Sequence, residues 1–212
     1  MRRMPLAALA VALALGALMA GCARESQPSR FYVLSYSSGP AGTQNATTMR
    51  DGLGLGIGPV ELPQYLDRPQ IVRRSDANSL TLEEFERWGG RLQENFVTVL
   101  AEVLSDKLQT DRVSVYPWSR PEEVEYQVIV NVTAFEIDEA DTSILDARWT
   151  IVDSRRQNVL SMARSSLRSP VERAGGPLDQ GVDYDAAAAA MSRNIAELGN
   201  VIAAEIQALA TR

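Results

Sequence analysis

Two periods run through the hydrophobic positions of this chain. At period two, Leu53, Leu55 and Ile57 alternate with glycines, the spacing of a strand with one bare face. Phe31-Tyr32-Val33-Leu34, Ile71-Val72-Arg73-Arg74, Ser79-Leu80-Thr81-Leu82 and Val113-Ser114-Val115-Tyr116 are short runs of strand-forming residues. The turn composition of Ser75-Asp76-Ala77-Asn78 joins two of these into a hairpin. From Val124, Tyr126, Val128, Val130 and Val132 share one face, with Ile129 and Phe135 on the other, so this strand is expected inside the sheet. Leu145, Ala147, Trp149 and Ile151 alternate with Asp146, Arg148 and Thr150, which predicts a strand with one wet face. Val159 to Leu167 is patterned more weakly and reads as an edge. Short links between these three predict an antiparallel meander.

At the helical period, Leu92, Phe96, Val99, Leu100, Val103 and Leu108 mark one face of a helix over Arg91 to Gln109. Tyr184, Ala188, Met191, Ile195, Leu198 and Ile202 mark a second over Tyr184 to Leu209; its five alanines, Ala186 to Ala190, favour helix and allow close approach. That helix can pack on the core or pair with another copy. Gly89-Gly90 argues against one continuous helix from a capping box at Thr81 to Glu84, and Trp88 is expected at the mouth of the first helix. The fold class is α/β (α+β): a two-layer sandwich, with a mixed, mainly antiparallel sheet and two long helices on one face.

Between the glycine strand and Ile71, Gly58-Pro59-Val60-Glu61-Leu62-Pro63-Gln64-Tyr65-Leu66-Asp67-Arg68-Pro69 holds three prolines. Each fixes its own φ and lacks a donor, so helix is excluded, and Pro69 holds Arg68 extended. The segment reads as a rigid loop with Tyr65, Leu66, Asp67 and Arg68 at its tip. A stiff tip suits partner recognition, because little entropy is lost on docking. The other reading is a turn whose Tyr65 and Leu66 fold back onto the core. Ser35 to Asp51 has no periodicity and reads as a long mobile loop.

The first 21 residues stand apart from this pattern. Arg2 and Arg3 precede an uncharged apolar run from Leu6 to Met19, 14 residues long. That is shorter than the ~20 needed to span a bilayer as a helix and fits a signal-peptide core. The run ends in Leu18-Met19-Ala20-Gly21-Cys22, with small residues before the sole cysteine. The segment resembles a bacterial lipobox, with Met19 where leucine is usual. The resemblance implies a diacylglycerol thioether on Cys22, which becomes the mature N-terminus. The alternatives are an ordinary signal peptide with a chance cysteine, or a buried thiol. Residues 1–21 are thus the signal, 22–30 an acylated tether and 31–212 the domain. With one cysteine no intrachain disulfide forms, and the core must stand on packing. In lipoproteins, Asp after the cysteine signals inner-membrane retention; Ala23 favours the outer membrane, without excluding the inner.

The chain carries 21 basic and 27 acidic residues, net −6. Loss of Arg2 and Arg3 leaves 19 against 27, or −8. An acidic domain is a poor nucleic-acid binder and gains nothing from anionic headgroups, so membrane contact is expected from the lipid. The chain has no histidine, which removes Ser–His, Cys–His and His–Asp mechanisms and the commonest metal ligand. Glu122, Glu123 and Glu125, and Asp138, Glu139 and Asp141, read as solvated faces and turn formers rather than catalytic pairs. Asp138 to Asp146 lacks the glycine and closing glutamate of a calcium loop. The glycine strand lacks the third glycine of G-x-G-x-x-G, and Pro59 intervenes, so no phosphate loop is predicted. No metal site and no cofactor beyond the lipid is expected.

Strand, Gly-Pro, then Leu62-Pro63-Gln64-Tyr65-Leu66-Asp67-Arg68-Pro69, with Arg87-Trp88, Tyr116-Pro117-Trp118 and Trp149 with Asp153, resembles the PqiC-type, or ABC-type transport auxiliary, lipoproteins. The resemblance runs from Phe31 to the C-terminal helix. It implies a non-catalytic component of an intermembrane transport system that moves lipids or other hydrophobic molecules. Its partners would be a periplasmic MCE-type protein and, through it, an inner-membrane transporter whose own subunit hydrolyses ATP. The acyl chains would hold the domain on the periplasmic side of the outer membrane. Homo-oligomerisation is compatible with the sequence. Two other classes fit the composition: a structural, cell-wall-associated lipoprotein, and a glycan hydrolase working with paired carboxylates.

Overall fold

The computed structural model describes residues 27–37, 53–120, 123–172 and 181–211. The signal segment, Cys22 and most of the loop expected at 35–51 lie outside the described residues. Eight strands form one open mixed sheet: β1 (Arg30–Tyr32), β2 (Leu55–Glu61), β3 (Gln70–Arg74), β4 (Leu80–Trp88), β5 (Val113–Val115), β6 (Tyr126–Ile137), β7 (Thr142–Asp153) and β8 (Asn158–Pro170). Two helices, α1 (Leu92–Leu108) and α2 (Tyr184–Ala210), pack on each other and on the sheet. The two-layer α+β architecture is the one expected, and β6-β7-β8 is the antiparallel meander. The long pairings are antiparallel, and the pairings of β1 with β4 and of β2 with β5 and β6 are short and parallel.

β6 is the axis of the sheet. One of its edges pairs with β7 along nearly its whole length. The other edge is shared: β2 occupies it up to Asn131, and β3 meets it again only at Ile137. β2 and β3 therefore lie end to end along one neighbour, and the sheet forks there. One branch continues to β5, the other through β3 and β4 to β1.

The register of β6 against β7 slips between Val132 and Ala134. Thr133 is the extra residue, and its hydroxyl donates to the Asp146 carbonyl at 3.1 Å. Such a bulge inverts the alternation beyond it. Val128, Val130 and Val132 are buried before it, Phe135 and Ile137 after it. This corrects the expectation for Phe135: it shares the helix-facing side with the valines, and its ring meets Phe96 of α1 edge-on at 5.3 Å.

The apolar stripes of both helices are buried as their spacing predicts. At their crossing a Cβ on Gly199 would collide with Val103 of α1, so the missing side chain sets how closely the helices approach. Polar ties lock α2 to the sheet: buried Asn194 donates to the Ser143 carbonyl and hydroxyl, both at 2.9 Å, and accepts from Ser169 at 2.7 Å. The bare face of β2 is filled as its glycines allow. A Cβ on Gly56 would lie 2.7 Å from Val124 and 2.9 Å from the Trp118 ring.

β4 is longer than its apolar pattern predicts. Thr81 to Glu84 is strand, not a helix start, and the strand runs to Trp88 because β1 pairs with its end. Arg30 of β1 reaches Glu86 of β4 with three contacts of 2.5 to 3.2 Å, and the Tyr32 hydroxyl donates to the same carboxylate at 2.6 Å. Burial alone would raise the Glu86 pKa; the Arg30 and Tyr32 hydrogen bonds outweigh it and hold it below the ordinary value.

Two outcomes are expected. Gly199→Leu overpacks the helix crossing and lowers stability by about 2–3 kcal/mol, part of which Val103→Ala restores; urea unfolding of both variants measures this. A carboxylate held below its unfolded value stabilises above that value, ~4.3 for Glu, and its contribution fades as pH falls through the folded pKa. Glu86→Gln therefore lowers the melting temperature near neutrality, and the two proteins converge in acid.

Candidate functional site

The segment between β2 and β3 must cross the stretch of β6 edge that neither strand covers. Pro63 begins a 3-10 turn over Gln64–Leu66, closed by Leu66 N–H to the Pro63 carbonyl at 2.9 Å and Asp67 N–H to the Gln64 carbonyl at 3.1 Å. The Trp88 N–H of β4 donates to the Pro69 carbonyl at 2.7 Å, and Gln93 of α1 donates to the Val60 carbonyl at 2.6 Å. The loop is thus tied at both ends, and the prolines limit what is left to move.

Its middle is held by Glu136. The bulge turns this residue away from the helices, and its side chain is fully enclosed. Glu136 Oε1 accepts from Arg74 Nε at 2.7 Å and lies 2.6 Å from Nη2. Oε2 accepts from the Tyr65 hydroxyl and from the Phe135 N–H, each at 2.8 Å. That last bond supplies an acceptor to a backbone donor on the uncovered edge. Burial first, and then the neighbouring carboxylate, push the Tyr65 phenol well above its ordinary pKa. The hydrogen bond to Glu136 outweighs burial in raising that of Arg74. Charge, donors and geometry are matched, as a buried carboxylate requires.

This arrangement revises the predicted contact surface. Leu66 is 3% exposed and belongs to the core; it is not available to a partner. Tyr65 is half-buried and spends its hydroxyl on Glu136. The fold-back reading holds for both, since the 3-10 turn brings them onto the sheet. Asp67 remains outward, its side chain 75% exposed, 3.9 Å from Arg91, which also reaches Glu94 at 3.3 Å. Arg68 is partly buried. Of the four predicted contact residues, Asp67 is the exposed one, beside the Arg91–Glu94 pair at the start of α1. Glu136 went unread in the sequence. Phe135-Glu136-Ile137 at uninterrupted alternation places Glu136 with the valines on the core face, and no residue type announces the bulge.

Four of the carboxylates weighed for chemistry are engaged in surface pairs and turns. Glu123 pairs with Arg120 and Glu125 with Arg155. Asp138 accepts from the Ala140 and Thr142 N–H groups, and Asp141 pairs with Arg73. Glu122 and Cys22 lie outside the described residues. Among the described residues no group of three or more cysteines or carboxylates could hold a metal ion, and no helix is long and apolar enough to cross a membrane.

Comparison with known proteins bears on the same elements. The family model described as the ABC-type transport auxiliary lipoprotein component matches residues 32–203. No curated protein sequence matches significantly. Among solved structures, a Xanthomonas campestris protein of family DUF330 superposes with a TM-score of 0.68 at 14% identity, covering 86% of this chain and 97% of that one. A second crystal structure, of an uncharacterized protein, gives 0.65 at 16% identity, covering 85% and 99%. At these identities the likeness is one of fold.

Removing the carboxylate should loosen the loop more than removing the phenol. Glu136→Ala leaves Arg74 and the Phe135 N–H without their acceptor and is expected to cost about 3 kcal/mol, the low end for a buried pair because Arg74 is partly hydrated. Tyr65→Phe is expected to cost about 1 kcal/mol. Chemical denaturation gives both values, and equal losses would show that Glu136 is not the organising group.

Proposed function

The chain belongs to the ABC-type transport auxiliary lipoprotein family, and from that premise we propose that it is the non-catalytic, lipid-anchored auxiliary component of an MCE/ABC-type system that moves lipids or other hydrophobic molecules between membranes. The observation that carries this reading is the family match from residue 32 to residue 203, beginning ten residues after a cysteine in a lipobox-like context. The family is defined as an accessory component and is not a known enzyme family. The domain offers a prestructured loop, and nothing in its described carboxylate pairs calls for catalysis.

In this reading the acyl chains on Cys22 hold the domain at the periplasmic face of the outer membrane. Two or more chains anchor stably, at ~0.8 kcal/mol per buried methylene. The proline loop then docks a periplasmic MCE-type protein, and through it the inner-membrane transporter. Asp67 and the adjacent Arg91–Glu94 pair supply the polar contact, and Glu136 keeps the loop in its docking shape without meeting the partner. A loop already immobilised loses little entropy on binding.

A photo-crosslinker at Asp67 in the full chain tests the contact, with Val201 on the outer side of α2 as control. The expected product joins Asp67 to a periplasmic MCE-type protein in membranes, and Cys22→Ser shifts the protein to the soluble periplasmic fraction. Crosslinks from Val201 alone would move the interface to α2. Co-sedimentation with peptidoglycan and no crosslinked partner would replace the transport reading with a cell-wall one.

A further inference from the structure

We infer that the β1–β4 edge of the sheet is a second, non-covalent membrane contact, in which Phe31, Val33 and Phe85 enter the lipid surface beside the acyl anchor. The inference rests on the lipid anchor at Cys22 proposed above. In the segment that leaves the tether, burial alternates strictly. Tyr32 and Leu34 are buried, while Phe31 is 67% and Val33 61% exposed. The outward positions of a strand on an aqueous surface are ordinarily polar; here they hold an aromatic and a branched aliphatic residue. Phe31 stands opposite Arg87 of β4. Phe85, two residues along the same strand and also exposed, is its diagonal neighbour.

The same surface continues away from the helices. Tyr32 faces the helical layer, its ring 6.2 Å from that of Tyr184 in α2, so Phe31 points the other way. Leu82 and Leu80 of β4 stand opposite Val72 and Arg74 of β3, on the side where Arg74 meets Glu136, and both are exposed. The apolar side chains thus gather on one surface of one branch of the fork, a grouping that marks an interaction site more than scattered exposure does.

The chain outside the described domain selects the occupant. Seven residues lie between Cys22 and Arg30; fully extended, the stretch from one to the other reaches roughly 28 Å. A folded domain of this length is roughly 40 Å across, from the scaling of its radius of gyration. The anchor therefore cannot let the far side of the domain face the membrane, whereas the β1–β4 edge is where the tether enters. Arg87, opposite Phe31, stands among the apolar residues, and its aliphatic stem can lie along the interface with its charge in the headgroup layer. The acidic balance of the whole chain argues against an electrostatic attachment, and this contact does not need one. It fixes which way the anchored domain faces.

Because lipidation would consume the sole thiol, a cysteine introduced elsewhere can be labelled alone. The lipidated full chain, carrying Phe31→Cys, Val33→Cys or, as control, the exposed Met162→Cys on β8, is labelled with a polarity-sensitive fluorophore. It is then bound to phosphatidylethanolamine/phosphatidylglycerol vesicles with and without nitroxide-bearing lipids. The expected result is blue-shifted emission at 31 and 33, quenched by the nitroxide lipids, with water-like emission at 162. Vesicles that float with the protein while the label at 31 and 33 stays water-like overturn the inference and leave the anchor standing. A blue shift that nitroxide lipids do not quench places a second protein copy on this edge and overturns it likewise. Failure to float overturns the anchor itself and, with it, this contact.

Discussion

One extra residue in the central strand decides how both faces of this sheet are used. Without the bulge, with Thr133 paired like its neighbours, Phe135 would leave the helices and Glu136 would enter the apolar layer, where an ionised carboxylate is not tolerated unpaired. With it, Phe135 closes the core against Phe96, and Glu136 turns to the opposite side to meet Tyr65 and Arg74. The bulge coincides with the part of the β6 edge that neither β2 nor β3 covers. There the interrupted ladder frees the Phe135 N–H, and the same carboxylate accepts it. The bulge thus serves core packing and loop anchorage together, at the place where the sheet forks.

The fork also links the N-terminal strand to the proline loop. β1 is joined to β4 through Arg30, Tyr32 and Glu86. β4 is joined to the proline loop through the Trp88 N–H and the Pro69 carbonyl. The loop is joined to β6 through Glu136. The N-terminal strand and the loop are thus connected through a short series of hydrogen-bonded elements.

How much of this could be read from residues alone depended on range. Both helices were legible nearly to the residue, because Leu92 to Leu108 and Tyr184 to Ile206 carry their own amphipathic period and depend little on remote partners. The glycine strand and the β6-β7-β8 meander were legible for the same reason: alternation is local, and consecutive strands pair. The far end of β4 was missed, since Glu86 to Trp88 pair with β1, more than fifty residues earlier in sequence. Phe135 was assigned to the wrong face because a bulge shifts register without a diagnostic residue.

By itself the sequence determined the class of molecule: a basic start, an apolar run and a lone cysteine ahead of an acidic, histidine-free α+β domain. These properties are sums over composition or short periods, and no folded context alters them; the likeness to the auxiliary lipoproteins rested on motifs. Only the tertiary structure decided what the proline loop exposes. Tyr65, Leu66, Asp67 and Arg68 are adjacent in the chain, yet Leu66 is core, Tyr65 is tied to a carboxylate 71 residues away, and Asp67 alone points fully outward. That division depends on where β6 places Glu136, and contacts between distant strands are set by packing, which a local pattern does not encode.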